Sequence, residues 1–173
     1  MAVVKSNAYG HNLVEFGEEM EKLGADWIGV DSLVEAKTLR ENGIQIPILV
    51  LGYTLPEKLA EAARLNISLT VSHIEHLRAI KKLSGPKPKI HLKIDTGMHR
   101  QGFLWEEIND MINYIDETFG RNLVEGIYTH FAAAKDPNDK KSTLDQGRLF
   151  KKAIDVFRAR GFQLVTHACA SGG

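Results

Sequence analysis

Seven short apolar runs recur along the 173 residues, at 2–6, 26–30, 47–52, 67–71, 89–95, 123–131 and 163–170, and helical spacing fills the gaps between them. Leu13, Phe16, Met20 and Leu23 form one apolar stripe, and Leu33, Ala36 and Leu39 form another. Further helices are predicted over 56–65, 73–82, 104–119 and 143–160. Gly24, Gly43, Gly120 and Gly161 stand where helices should stop, and Asp31-Ser32 reads as a helix cap. Regular alternation of this kind predicts a parallel sheet with helices outside it. It does not separate a doubly wound sheet from a barrel.

Charge and cysteine usage narrow the function classes. Lys and Arg number 22 and so do Asp and Glu, so the formal net charge is zero. Such a balance offers no electrostatic footprint for nucleic acid or an anionic membrane. Cys169 is the single cysteine and cannot form an internal disulfide, so a cytoplasmic location is expected. Beside His167 and Ser171 it reads as a small residue near a pocket rather than a nucleophile, because no orienting acid is evident. The longest apolar run, 46–51, is far too short to span a bilayer. His73 and His76 sit one helical turn apart with no third ligand at suitable spacing. They read as a solvated helix face, and no metal site is expected.

Four stretches carry chemistry. In Ala2-Val3-Val4-Lys5-Ser6-Asn7-Ala8-Tyr9-Gly10-His11 a lysine ends a β-type run ahead of a polar, glycine-containing turn. A strand's carboxyl end is where an α/β barrel exposes reactive groups, and a lysine there can form a Schiff base with an aldehyde. In 89–103, alternation puts Lys89, His91, Lys93 and Asp95 on one face and Ile90, Leu92 and Ile94 on the other. A polar face conflicts with a strand buried on both sides. It fits either a polar pocket or a solvated edge strand. The Asp95-Thr96-Gly97 turn then brings Arg100 to the same mouth. The third stretch, Ile127-Tyr128-Thr129-His130-Phe131-Ala132, ends a strand on a histidine. The fourth, His167-Ala168-Cys169-Ala170-Ser171-Gly172-Gly173, pairs a hydroxyl with glycines, which suits an anion held by backbone N–H groups.

These stretches together resemble alanine racemase, a family dependent on pyridoxal 5′-phosphate. The first matches its lysine signature, with mild departures at Ser6 and Asn12. The second matches Lys-x-Asp-Thr-Gly-Met-x-Arg-x-Gly at every fixed position. The third is similar to its Thr-His-Phe-Ala motif, although Lys135 stands where an acidic residue is usual. The fourth is similar to His-x-Ala-Asn-Ser, with Ala170 replacing the asparagine.

The resemblance implies a (β/α)8 TIM-type barrel. A complete one takes about 250 residues, so about seven of the eight βα units are expected, as a single domain over 1–173 truncated at both ends. It implies that Lys5 holds the cofactor as an internal aldimine and acts as a base at Cα. It also implies that Tyr9 and Ser171 contact the phosphate, that Arg100 bonds the phenolic oxygen, and that His130 lies against the ring. Lys93, carbamylated in many members, would orient Arg100. The activity implied is interconversion of L- and D-alanine for peptidoglycan, by a homodimer whose partner subunit supplies a second base from a C-terminal β domain. This chain alone is expected to turn over poorly. A serine or broad-specificity racemase and a non-catalytic pyridoxal-phosphate-binding protein are the alternatives.

Overall fold

The computed structural model describes residues 1–170 and divides them into two compact units. The first comprises 1–70 and 82–89. Its strands are β1 (Ala2–Val3), β2 (Ile28–Val30), β3 (Ile48–Val50) and β4 (Ser68–Val71). They pair in chain order, all parallel. Between them lie the short turn α1 (Lys5–Tyr9) and the helices α2 (Leu13–Lys22), α3 (Leu33–Glu41) and α4 (Leu59–Arg64).

Strands of three or four residues suffice because every residue of β2, β3 and β4 is buried. β2 and β3 therefore read as continuous apolar runs, as parallel strands do, while β4 also buries Ser68 and Thr70. Leu33, Ala36 and Leu39 are the inward stripe of α3. Arg40, on the same helix, bolts the return loops in place. Its guanidinium donates to the carbonyls of Ile44 at 2.7 Å, Ile46 at 2.8 Å, Leu65 at 3.2 Å and Asn66 at 3.1 Å.

The second unit holds 71–81 and the described residues from 90 onward. It contains α5 (Ile74–Lys81), β5 (Ile90–Lys93), α6 (Ile108–Thr118), β6 (Val124–His130), α7 (Lys140–Ala159) and β7 (Val165–Cys169). β5, β6 and β7 pair in order and in parallel. Phe150, Ala153 and Phe157 form the buried stripe of α7.

Three expectations are corrected. The first strand stops at Val3 rather than reaching Ser6, because the backbone turns left-handed immediately after Lys5. The mixed strand β5 is no solvated edge: all four of its residues are buried, His91 and Lys93 among them. Of the histidine pair, His73 just before α5 is exposed, but His76 is not on a solvated face. His76 shares the buried side of that helix with Leu77 and Ile80, and burial, aided by the nearby His73, pushes its pKa down to about 4.

Candidate functional site

Lys5 lies two residues beyond the end of β1, after Val4, and its ammonium lies 3.7 Å from Asp31 Oδ1 with the lysine side chain 38% exposed. The backbone beyond it is unusual. Ser6, Asn7, Ala8 and Tyr9 all have φ between 53° and 56°, so α1 winds left-handed through four consecutive non-glycine residues. Each such residue costs roughly 1–2 kcal/mol relative to the right-handed form. Strain of this kind persists only where the surroundings over-determine it, and it gathers at functional sites.

The surroundings here are specific. Ala8 N–H donates to the Val4 carbonyl at 2.8 Å, and the Asn7 side chain accepts the Leu13 N–H at 2.8 Å. Ser6 N–H donates to the Glu35 carboxylate at 2.7 Å. Asn12 then caps α2 by accepting from Val14 N–H. Tyr9, on the same left-handed turn as Lys5, is 63% exposed. An accessible amine and an accessible phenol on one rigid turn fit an aldehyde that also carries an anion.

The second unit gathers the other candidates. Lys93 is 1% exposed, and its ammonium lies 5.4 Å from the centre of the Tyr128 ring. Burial, aided by the neighbouring Arg100 charge and opposed by Asp95, brings its pKa down to about 8. Lys93 is therefore far easier to neutralise than an exposed lysine.

Arg100 is exposed on the loop after β5. That loop is built around Asp95, whose Oδ1 accepts N–H groups from Gly97 at 2.9 Å, Met98 at 3.0 Å and His99 at 3.1 Å. Burial works to raise the Asp95 pKa. These bonds and His99 outweigh it and hold the pKa below the usual range. The loop closes where Phe103 N–H donates to Lys93 O at 2.8 Å and Asp95 N–H to Phe103 O at 2.9 Å. Gly102 makes this possible: its φ is +135°, and a Cβ there would sit 2.6 Å from the Asp95 nitrogen.

His130 ends β6, half-buried. Its carbonyl accepts from Gln146 Nε2 at 3.2 Å. Gln146 escaped the sequence reading. From α7 it also accepts the Ala132 N–H at 2.9 Å and donates to Thr96 Oγ1 at 3.1 Å. Thr96 and Thr129 hydroxyls are 2.7 Å apart, and Thr129 donates to the Ile94 carbonyl. This network locks the end of β5 to the end of β6. The available signal was position: residue 146 lies four residues before Phe150 and seven before Ala153, on the apolar stripe. A glutamine there needs buried partners.

Behind Lys93, His167 stacks on Tyr128 at 4.7 Å, and its Nε2 lies 3.0 Å from His91 Nδ1. Burial and the adjacent His91 push the His167 pKa down to about 4. Gly126 gives the His91 ring its space, since a Cβ there would lie 2.5 Å from Nδ1. Ser171 lies outside the described residues.

The fold class is that of an incomplete TIM-type barrel, with lysines at or just beyond the ends of its first and fifth strands. Residues 1–173 match the alanine racemase N-terminal domain. The chain is 42% identical to an alanine racemase of Methanococcus maripaludis, covering 99% of this chain and 47% of that protein. It is 46% identical to the Geobacillus stearothermophilus enzyme over 140 residues, 80% of this chain and 36% of that one. Among solved structures, the alanine racemase of Clostridium difficile superposes with a TM-score of 0.90 at 34% identity, covering 99% of this chain and 45% of the other. The chain belongs to the alanine racemase family, whose members depend on pyridoxal 5′-phosphate. It spans about half the length of the curated relatives it matches.

Proposed function

We propose that this chain holds pyridoxal 5′-phosphate for interconversion of L- and D-alanine, the D-isomer serving peptidoglycan. The observation that carries the reading is the accessible Lys5 amine on its strained left-handed turn, in a chain of this family. The cofactor, when bound, supplies the electron sink that acidifies the substrate Cα–H. Lys5 would hold the cofactor through its amine and would hold or return the Cα proton on one face. Tyr9 and Ser171 would bind its phosphate, and Arg100 and His130 would hold its ring.

Lys93 orients Arg100. Two cations side by side repel, and addition of carbon dioxide to the neutral amine, with loss of one proton, replaces that repulsion by attraction. The lowered Lys93 pKa supports this chemistry. Racemisation needs a second base on the opposite face, which we assign to a partner subunit of a homodimer. The lone cysteine supports a reducing cytoplasm as the site of the reaction.

The test is to follow D-alanine formation from L-alanine by the full-length gene product with added pyridoxal 5′-phosphate, with serine and lysine as competing substrates. Faster turnover of alanine, lost in Lys5→Ala, is expected. Preference for serine or lysine, or cofactor binding without any racemisation, would overturn the assignment.

A further inference from the structure

Glu35 lies in the first turn of α3 and belongs to none of the four stretches considered above. Its Oε2 accepts the backbone N–H of Asp31 at 2.8 Å and of Ser32 at 3.3 Å, while the Ser32 hydroxyl accepts the Glu35 N–H. A capping glutamate ordinarily serves only the start of its own helix. Here the other oxygen, Oε1, accepts the Ser6 N–H at 2.7 Å, from 29 residues away in sequence.

Ser6 is the residue after Lys5 and the first of the four with left-handed φ. One carboxylate therefore fastens the turn after β1 to the turn after β2. It also holds the backbone of Asp31, whose own carboxylate faces the Lys5 ammonium at 3.7 Å. Hydrogen bonds to an ionised acceptor are about twice as strong as neutral ones, and the start of α3 favours a negative charge at this position.

We infer that Glu35 is a positioning residue for Lys5: its carboxylate pins the Ser6 amide and so fixes the backbone from which the Lys5 amine projects. The link to chemistry rests on the reading of Lys5 as the cofactor-holding amine. The clamp is testable without it. A purely structural cap would stabilise α3 and leave the left-handed turn to other contacts.

The experiment compares wild type with Glu35→Gln, Glu35→Ala and Ser32→Ala, reading residue-resolved amide exchange. In parallel, Lys5 labelling by pyridoxal 5′-phosphate with cyanoborohydride is mapped by peptide mass. Glu35→Gln should speed Ser6 exchange at least tenfold while amides of Ile28–Val30 stay within twofold. Lys5 labelling should fall at least fivefold relative to the other lysines. Ser32→Ala removes the cap hydroxyl and leaves all three carboxylate bonds, so it should lower the unfolding midpoint with Ser6 exchange within twofold of wild type. Unchanged Ser6 protection in both Glu35 variants would overturn the inference. So would a Ser32→Ala protein that opens Ser6 as far as they do. A wild type whose Lys5 labels no faster than its other lysines would contradict the cofactor reading alone, with the exchange pattern still deciding the clamp.

Discussion

Lys5 and Lys93 stand two residues past the end of β1 and on the last residue of β5, and the structure treats them oppositely. Lys5 is partly exposed, faces the carboxylate of Asp31, and rides on a backbone wound the wrong way for an L-residue chain. Lys93 is sealed in, with the Tyr128 ring beside its amine and a pKa pushed down to about 8. The same side chain at similar topological positions thus becomes a reachable amine in one unit and a buried, readily neutralised one in the other. Environment separates them: the first amine is open to solvent and the second is not.

The largest expected effect comes from removing the reachable amine. Lys5→Ala should reduce racemase activity of the full-length protein by about a thousandfold or more. Its unfolding free energy should stay within about 0.5 kcal/mol, as for other exposed positions. Coupled D-alanine detection and urea titration measure the two.

Acid should break the buried side next. His76 and His167 titrate near 4 in the fold against an unperturbed 6.5, so the unfolded chain binds protons first as pH falls. The stability they contribute is complete above about 6.5 and gone below about 4. At 1.36 kcal/mol per pKa unit it is at most about 3 kcal/mol each. Urea midpoints across that window, in wild type and His167→Gln, check it.

Lys93→Met sharpens the contrast. Removing a buried charge while keeping its volume should stabilise the protein by about 1–3 kcal/mol at pH 7. Because the folded pKa is near 8 and the unfolded one near 10.5, wild type should gain stability as pH rises between them, and the variant should lack that rise. Unfolding in buffers with and without bicarbonate reads the carbamate as well.

Gln146→Leu should cost about 1–3 kcal/mol by leaving buried groups around Thr96 and Ala132 without their partner. Exchange at Ala132 should quicken while α1 is unaffected. The smallest effect is that of Ser32→Ala, about 1 kcal/mol for a lost cap.

The βα alternation was legible because short strands buried on both faces leave unbroken apolar runs such as Ile48–Val50, and because helix stripes such as Leu33, Ala36 and Leu39 keep their spacing. The strand-end lysines and Arg100 were legible as motif positions. The left-handed turn was not: Ser6 and Ala8 carry no preference for positive φ, and one of the contacts holding it, from Ser6 to Glu35, reaches far along the chain. The burial of His76 is not legible from its spacing to His73, because it follows from the apolar side it shares with Leu77 and Ile80. Gln146 was visible as a polar residue on an apolar stripe, but its partners lie on loops whose shape only the fold supplies.

The contrast between the two lysines is tested most directly by adding pyridoxal 5′-phosphate to the native protein, reducing with borohydride, and mapping the modified peptides before and after unfolding in urea. Label is expected on Lys5 in the native protein, with Lys93 modified only once the chain is unfolded. Native Lys93 labelling as fast as Lys5, or equal total labelling in Lys5→Ala, would contradict it.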